Sequence, residues 1–550
     1  MKHSNLYWNL AIFLLAALLF VPGLGIVHLF DWDEINFAES AREMLVTGDW
    51  FNVQINFESF WEKPPLFIWA QALSMKAFGV NEFAARFPNA VIGILTLLLL
   101  FNIGRKAKDT RFGLLWAMMY GISYLPFFYF KSGIIDPWFN FFIFLSIYSF
   151  ALYTDPALPQ QRSRHAALSA LFMGLAINTK GPVAFLVFGL TFVVWLIVRR
   201  FRLNFRWKDV GIYALVLLLV GGSWFIALAL TGHMEVIQDF IAYQIRLFET
   251  QDAGHGGFLL YHFLILFFGV VPASYFALGA FRKSILKGED ETHLTVLFRW
   301  MMCAFWVVLI LFTIVRTKIV HYSSFCYFPL TFLAAYQADR MLDGKEKFHG
   351  WQQGLLMGTT VVYGLVFLTL TQIDCIKGAL IPYIADPFAV SCLEATSEWN
   401  PLAPLVGILL IGATVWFCIV FCKQHRAKDF LILTVANLVF LTTLIFAAVP
   451  QVEKYSQASA IEFYEQRKGE DCYVLPTYFK SYAQYFYTDR QPRNRCDDFE
   501  WLGKGPIDKP CYFVLKDIPE DVARFQAEVP DARFLYRKSG FRFFKREVPE

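Results

Sequence analysis

Residues 31–65, DWDEINFAESAREMLVTGDWFNVQINFESFWEKPP, are acidic, aromatic and polar, yet they lie between two segments apolar enough to enter a membrane. The stretch carries Asp31, Asp33, Glu34, Glu39, Glu43, Asp49, Glu58 and Glu62 and ends on Pro64-Pro65. An acidic loop held directly at a membrane surface reads as the floor of an active site.

The flanking sequence sets the class. The 550-residue chain is 57% hydrophobic, 18% aromatic and 17% charged, whereas soluble domains are about 45–50% apolar even with glycine counted. It is a polytopic α-helical membrane protein. The net charge of +4 comes without Lys/Arg blocks suited to a nucleic-acid groove, which argues against nucleic acid as a partner.

Trp8–Phe30 follows Lys2 and His3, but it is too long for a signal h-region and no A-x-A-like site follows it. It reads as an uncleaved first span. At ~20 apolar residues per span, about thirteen helices are expected, centred near 8–30, 86–104, 112–130, 134–153, 166–179, 183–198, 209–230, 258–281, 297–315, 321–340, 351–371, 401–422 and 429–449. Alternate loops are rich in Lys and Arg: 105–111, 162–164, 199–208, 282–287, 340–347 and 423–428. By the positive-inside tendency these loops and the N-terminus are cytoplasmic, and the loop 31–85 faces outward.

An odd number of spans puts residues 451–550 outside as well. That tail holds short β-type runs such as Tyr473-Val474-Leu475 and Cys511–Leu515 between turn-rich stretches, which predicts a small α/β domain beyond a transmembrane domain of residues 1–450. Among nine cysteines, Cys375 with Cys392, and two of Cys472, Cys496 and Cys511, are candidate disulfide pairs on the outer side. Within the first outer loop, Asn36–Thr47 and Leu66–Phe78 have amphipathic patterns and are expected to lie flat on the membrane.

The candidate functional groups fall on one face. Asp33 and Glu34 end the first span, Glu62 and Lys63 precede the second, and Asp136 opens the fourth in KSGIIDPWF. Lys180 sits in NTKGP, His255 precedes the eighth span, and Arg316, Lys318, His321 and Tyr322 lie in RTKIVHY. Ionisable groups inside a bilayer cost at least ~2.5–3.5 kcal/mol and usually mark a site, but these cluster at span ends where the cost is lower. Taken singly, residues such as Lys131 or Arg246 read as interfacial snorkelling side chains. The argument rests on convergence.

Carboxylates and amines gathered at an outer face suit sugar transfer from a lipid phosphate: a carboxylate takes the proton of an acceptor hydroxyl and cations stabilise the departing phosphate. Nucleotide sugars are cytoplasmic, so an outward-facing transferase needs a flipped donor, and a polyprenyl-phosphate-linked sugar meets that need.

DWDEINFAESAREMLVTGDW followed by FWEKPPLFIW resembles the first outer loop of integral-membrane glycosyltransferases of superfamily C, in the family that contains protein O-mannosyltransferases and the lipid A aminoarabinose transferase. FMGLAINTKGPVAFLVF and RTKIVHYSSFCYFPLTFLA are similar to that family's TKG turn and its SKxKLPxYxLP-like stretch, in the same order, over residues 1 to about 340. The resemblance implies that Asp33 is the catalytic carboxylate, that Glu62 and Lys63 serve the donor phosphate and that Asp136 supports Asp33. It matches Lys318 and His255 to further motif positions. Asn36, Val320 and His321 depart from the pattern, which leaves sugar and acceptor open.

The expected site therefore comprises Asp33, Glu62 and Asp136 as catalytic carboxylates. Lys63, Lys180, Arg316, Lys318 and Tyr322 stand on the phosphate side, with Glu34 and His255 in support. The cofactor reading stays open, none being fixed by the sequence; a divalent metal, where bound, takes Glu62 and His255 as ligands. Asp31-Trp32-Asp33 has the form of a nucleotide-sugar metal motif, but this face offers no nucleotide. The expected reaction joins a polyprenyl-phosphate-linked sugar to an envelope acceptor at the outer face of a bacterial inner membrane, lipid A or another glycolipid before secreted protein. A transporter or flippase would instead show internal repeats and polar breaks at the midplane, and a non-catalytic assembly protein would tolerate loss of Asp33.

Overall fold

The computed structural model describes residues 2–203, 205–249, 256–282, 292–424 and 426–548. Helix α1 (Lys2–Phe20) ends where Pro22 and Gly23 follow, the latter at φ +83°. The first loop then forms α2 (Asp33–Thr47), a short hairpin β1 (Gln54–Ile55) and β2 (Glu58–Ser59), and α3 (Leu66–Phe78), which starts directly after the double proline. Asn81 accepts from Ala84 N and caps α4 (Glu82–Ala107); Asp109 does the same at Phe112 N for α5 (Thr110–Gly121).

The helical body continues with α6 (Tyr124–Tyr129), α7 (Asp136–Thr154), α8 (Arg162–Lys180), α9 (Val183–Val198), α10 (Trp207–Gly221), α11 (Ser223–Leu230) and α12 (Met234–Glu249). After these come α13 (Tyr261–Gly269), α14 (Ala273–Ala277), α15 (His293–Ile314), α16 (Tyr327–Leu342), α17 (Gly350–Thr371), α18 (Ile373–Leu380), α19 (Pro387–Cys392), α20 (Ala403–Gln424) and α21 (Ala427–Thr443). Its interior is rich in aromatic side chains, among them Trp116, Phe144, Phe328 and Trp300. Helices close in on one another at glycines: a Cβ on Gly113 of α5 would stand 2.4 Å from Phe101 O of α4, and one on Gly174 of α8 would stand 2.7 Å from Gly221 N of α10.

Beyond α22 (Val449–Lys454) and α23 (Ala458–Glu465), the tail forms a four-stranded sheet in the order β3-β4-β6-β5. Its strands are β3 (Tyr473–Thr477), β4 (Cys511–Lys516), β5 (Arg533–Lys538) and β6 (Phe541–Arg546), with α24 (Ala483–Tyr487), α25 (Phe499–Lys504) and α26 (Pro519–Glu528) in the connections. Strands β3 and β4 are parallel, and the two remaining pairings are antiparallel.

The segments expected to be spans are largely helical, the first, 8–30, only as far as Phe20, and among the described residues five helices are single, long and apolar enough to cross a bilayer, or six if the bent pair α10–α11 is one span. Chain breaks account for part of the difference, and short helices such as α1 and α9 for more of it. Gly121-Ile122-Ser123 separates α5 from α6, Gly222 puts a 47° bend between α10 and α11, and Pro272 parts α13 from α14.

Two other expectations are corrected. Helix α2 does not lie flat with its polar face in water: Glu34 to Met44 are all buried, because the tail covers that face. Ile35, Phe37, Ala41 and Met44 share one apolar cluster with Phe463, Phe486 and Phe543. No disulfide forms among the described residues: Cys375, Cys392, Cys472, Cys496 and Cys511 are free thiols. Cys375 is exposed on α18, whereas Cys392 is buried on α19 beside Gly540 of the tail.

Candidate active site

The first loop is anchored before it can act. Glu34 and Arg86 form a buried two-point pair, with Nε–Oε1 at 2.9 Å and Nη2–Oε2 at 2.8 Å. The same carboxylate accepts from Phe30 N at 2.9 Å and Gly133 N at 2.5 Å. Burial pushes the Glu34 pKa up, but the Arg86 charge and these hydrogen bonds outweigh it, so the group lies below the ordinary carboxylate range. Arg86 also donates to the carbonyls of Leu24, Val27 and His28, tying the end of the first segment to α4. Glu34 thus fixes the loop and is turned away from any substrate.

Further along α2, Arg42 binds Glu39 through Nη2 and Nε at 2.6 and 2.8 Å and reaches Asp489 and the Arg490 carbonyl of the tail. Glu43 accepts from Asn56 N at 2.6 Å and Phe57 N at 2.7 Å, which sets the hairpin. Burial and the adjacent Glu39 carboxylate push the Glu43 pKa up, which favours its protonated form.

Asp33 stands one residue before this anchor, at the start of α2, with its side chain 37% exposed. Its Oδ2 lies 3.7 Å from Nε2 of His321, which comes from the 3₁₀ turn Val320–Cys326 ahead of α16. The buried Asp136, at the start of α7, accepts from Lys180 Nζ at 2.6 Å, at the end of α8. Asp136 Oδ2 has no hydrogen-bond partner. Lys180 also sits 5.8 Å above the Phe139 ring and 5.9 Å from the Tyr322 ring. The His321 imidazole is within electrostatic reach of Asp136, Lys180, Asp33 and Lys63 together.

A second group forms the rim. Lys63 is 3.8 Å from Glu62 and 5.3 Å from the ring centroid of Tyr243 on α12, whose hydroxyl lies 3.4 Å from Glu62. Trp61 packs edge-on to the same ring at 5.3 Å. The amphipathic α12 therefore covers the EKP segment.

The structure thus brings Asp33, Lys63, Asp136, Lys180 and Tyr322 around His321, with Glu62 at the edge. It does not bring Lys318 in: that ammonium donates to the carbonyls of Phe312, Thr313 and Val315 at 3.0, 2.7 and 2.6 Å and closes the C-terminus of α15. Arg316 is exposed. His255 lies outside the described residues. Lys131, read as a snorkelling residue, is buried and donates to the Pro22 carbonyl.

For a metal, Glu62 is the described member of the expected pair, and the Lys63 ammonium stands beside it. Asp31 and Asp33 do not converge as D-x-D ligands: Asp31 accepts from the Ser481 hydroxyl and from Tyr482 N of the tail, whereas Asp33 faces His321. Among the described residues, His28, Glu82 and Glu465 form a group with donor atoms within 4.8 Å of one another. It lies where the first loop meets α4 and α23, and His28 is already bonded to Glu453 at 2.8 Å.

His321 and Tyr243 are the additions that sequence reasoning placed least well. His321 stood in RTKIVHY as a departure from a motif, and Tyr243 carried no signal beyond its place on an amphipathic helix.

A cluster of amines and carboxylates of this kind can bind a phosphate next to a group able to accept a proton. Residues 62–224 match the family described as dolichyl-phosphate-mannose-protein mannosyltransferase. The chain is 28% identical over 379 residues to undecaprenyl phosphate-alpha-4-amino-4-deoxy-L-arabinose arabinosyl transferase 2 of Pseudomonas fluorescens, an alignment covering 66% of this chain and 65% of that one. With the transferase of the same type from Enterobacter sp. it shares 25% identity over 447 residues, covering 76% and 78%. In fold it is similar to ArnT from Cupriavidus metallidurans bound to undecaprenyl phosphate, at a TM-score of 0.77 and 15% identity over 98% of both chains. The archaeal oligosaccharyltransferase AglB from Archaeoglobus fulgidus follows at 0.51 and 12%, covering 97% of this chain and 74% of that one. In motif, in relatives and in fold, this chain is similar to the integral-membrane glycosyltransferases of superfamily C, of the lipid-phosphate-sugar-dependent, aminoarabinose-transferase-like type.

Proposed function

We propose that this protein is a membrane glycosyltransferase that moves a sugar from a polyprenyl-phosphate-linked donor to a phosphorylated envelope glycolipid, lipid A or one like it. The observation that carries the reading is the approach of Asp33 to His321, 3.7 Å apart, beside the Lys180–Asp136 pair at 2.6 Å. The activity named for the curated relatives supports the donor class.

In this reading an acceptor oxygen attacks the anomeric carbon while the bond from that carbon to the donor phosphate oxygen breaks. The polyprenyl phosphate leaves with the bonding pair. One displacement inverts the anomeric carbon. Asp33 takes the proton of a hydroxyl acceptor; a phosphate acceptor is already ionised, and Asp33 with His321 then orients it. Lys63 and Lys180 stabilise the departing phosphate, and Asp136 holds Lys180 in place. Arg316 and Tyr322 serve the donor phosphate from the edge of the site, while Lys318 and Glu34 hold the backbone that carries it.

The acceptor side is supported by a cleft of about 550 Å³ between the first loop and the tail. Trp32, Phe388, Phe479 and Phe541 wall it, with Lys480 5.0 Å from the Trp32 ring and Lys516 4.7 Å from the Phe388 ring. Aromatic faces and amines suit phosphorylated sugars, and Trp32 adjoins Asp33. The proposed placement is the inner membrane, with about thirteen spans, the N-terminus cytoplasmic, residues 1–450 in the membrane part, and the site and tail at the outer face.

The test supplies purified protein with labelled polyprenyl-phosphate sugar and either a lipid A fraction or a secreted-protein fraction. Label in the lipid fraction, lowered by Asp33→Asn, is expected. Label in protein would favour the O-mannosyltransferase-like reading, and transfer to neither would sink the transferase reading.

A further inference from the structure

At the far end of the same helices lies a second cavity of about 580 Å³. Helix α7 runs from Asp136 at the candidate active site to Thr154 at this cavity, and α8 runs back from Arg162 to Lys180. At 1.5 Å per residue, the 16 steps from Lys180 back to Arg164 put the cavity's basic rim about 24 Å from the candidate active site.

The walls divide by chemistry. Leu145, Leu152, Leu168, Phe172 and Leu297 form an apolar side, as the flank of a membrane helix bundle would. Lys106 and Arg164 stand exposed at the rim, and His165 is 93% buried by its 7% exposure. Neither ring nitrogen of His165 has a hydrogen-bond partner. Burying both without a partner is costly unless something from outside supplies one. The N-terminus of α8, which has no side-chain cap, opens on the same side and favours negative charge. The carboxylate that lines the cavity, Asp155, is occupied by His293 and by Ala157 N at 2.8 Å.

We infer that this cavity binds the phosphate of an acidic glycerophospholipid, with Lys106, Arg164 and His165 on the phosphate oxygens and an acyl chain against the Leu/Phe wall. Basic pockets between membrane helices hold acidic headgroups in this way. A soluble phosphate compound shares the headgroup chemistry but leaves the apolar wall unused. On the orientation proposed above, the site is in the cytoplasmic leaflet. The inference does not depend on the transferase reading, because its test is binding.

Full-length protein is purified in detergent and offered phosphatidylglycerol and phosphatidylcholine of identical acyl chains, with retention read by native mass spectrometry. Selective retention of phosphatidylglycerol is expected. Arg164→Gln or Lys106→Gln should lower it about fivefold, and the double variant about thirtyfold, from about one surface charge's attraction each. Both residues are exposed, so these variants fold; His165→Phe should lower retention further, and if it fails to fold the exposed pair still decides. Equal retention of the two lipids, or a preference that survives the double variant, would overturn the inference. Inorganic phosphate raising the melting temperature as much as phosphatidylglycerol, and displacing it, would assign the cavity to a soluble anion and overturn the lipid occupant.

Discussion

His321 Nε2 lies 3.7 Å from Asp33 Oδ2, although 288 positions separate the two residues in the chain (321 − 33). Loss of the Asp33 carboxylate should therefore remove function and leave the fold. Asp33→Asn is expected to lower turnover by ~10²–10⁴ where the acceptor is a hydroxyl, the range for a lost general base. The loss should be smaller with an ionised phosphate acceptor. Turnover with each acceptor, alongside expression and melting temperature, checks this.

Lys180 and Asp136 behave as one unit. Removing one partner strands a buried charge, which costs ~3–5 kcal/mol, whereas removing both is often near neutral. Lys180→Met and Asp136→Asn should each lower the melting temperature, and the double variant should recover much of the loss. A double variant whose loss equals the sum of the singles would count against a coupled pair. Activity should be low in all three.

Glu34→Ala should behave as a folding defect. The two-point bond to Arg86 and the backbone bonds to Phe30 and Gly133 are lost together, with ~3–5 kcal/mol expected. Since the folded pKa of Glu34 lies below its unfolded one, its contribution is present above the ordinary carboxylate pKa. It is lost as pH falls through the depressed value. The wild type should lose melting temperature on acidification, and Glu34→Ala should show a shallower acid limb.

Glu43 has the opposite sign. A folded pKa of about 9 means that the folded protein keeps a proton the unfolded chain releases near its ordinary value. This contribution is complete below the unfolded pKa and declines as pH rises towards 9, at up to ~1.4 kcal/mol per pH unit. Melting temperatures should fall as the pH rises from 5 to 9. A rise across that range would mean that Glu43 is ionised beside Glu39.

The class, the helical segments and the acidic loop were legible in the chain because burial in lipid leaves apolar runs of recognisable length and ionisable residues at their ends. Motif order also pointed to Asp33, Glu62, Lys63, Asp136 and Lys180, which the fold brings close together. Local pattern could not distinguish Lys180, which faces Asp136, from Lys318, which caps α15 through three carbonyls, since an amine after a helix reads the same in either case.

Tertiary structure decided what covers what. The α2 helix has a periodicity suited to a membrane surface, yet Glu39, Arg42 and Glu43 are buried: the tail supplies Asp489 and the Arg490 carbonyl to Arg42 from more than 440 residues away, Arg42 pairs with Glu39, and the hairpin amides hold Glu43. Segments read as continuous spans break at Gly222 and Pro272, since a hydropathy pattern counts apolar side chains and does not register the direction of the backbone. Composition is a sum over residues and survives in the sequence; the pairing of distant charges depends on which surfaces meet, and only the folded chain fixes that.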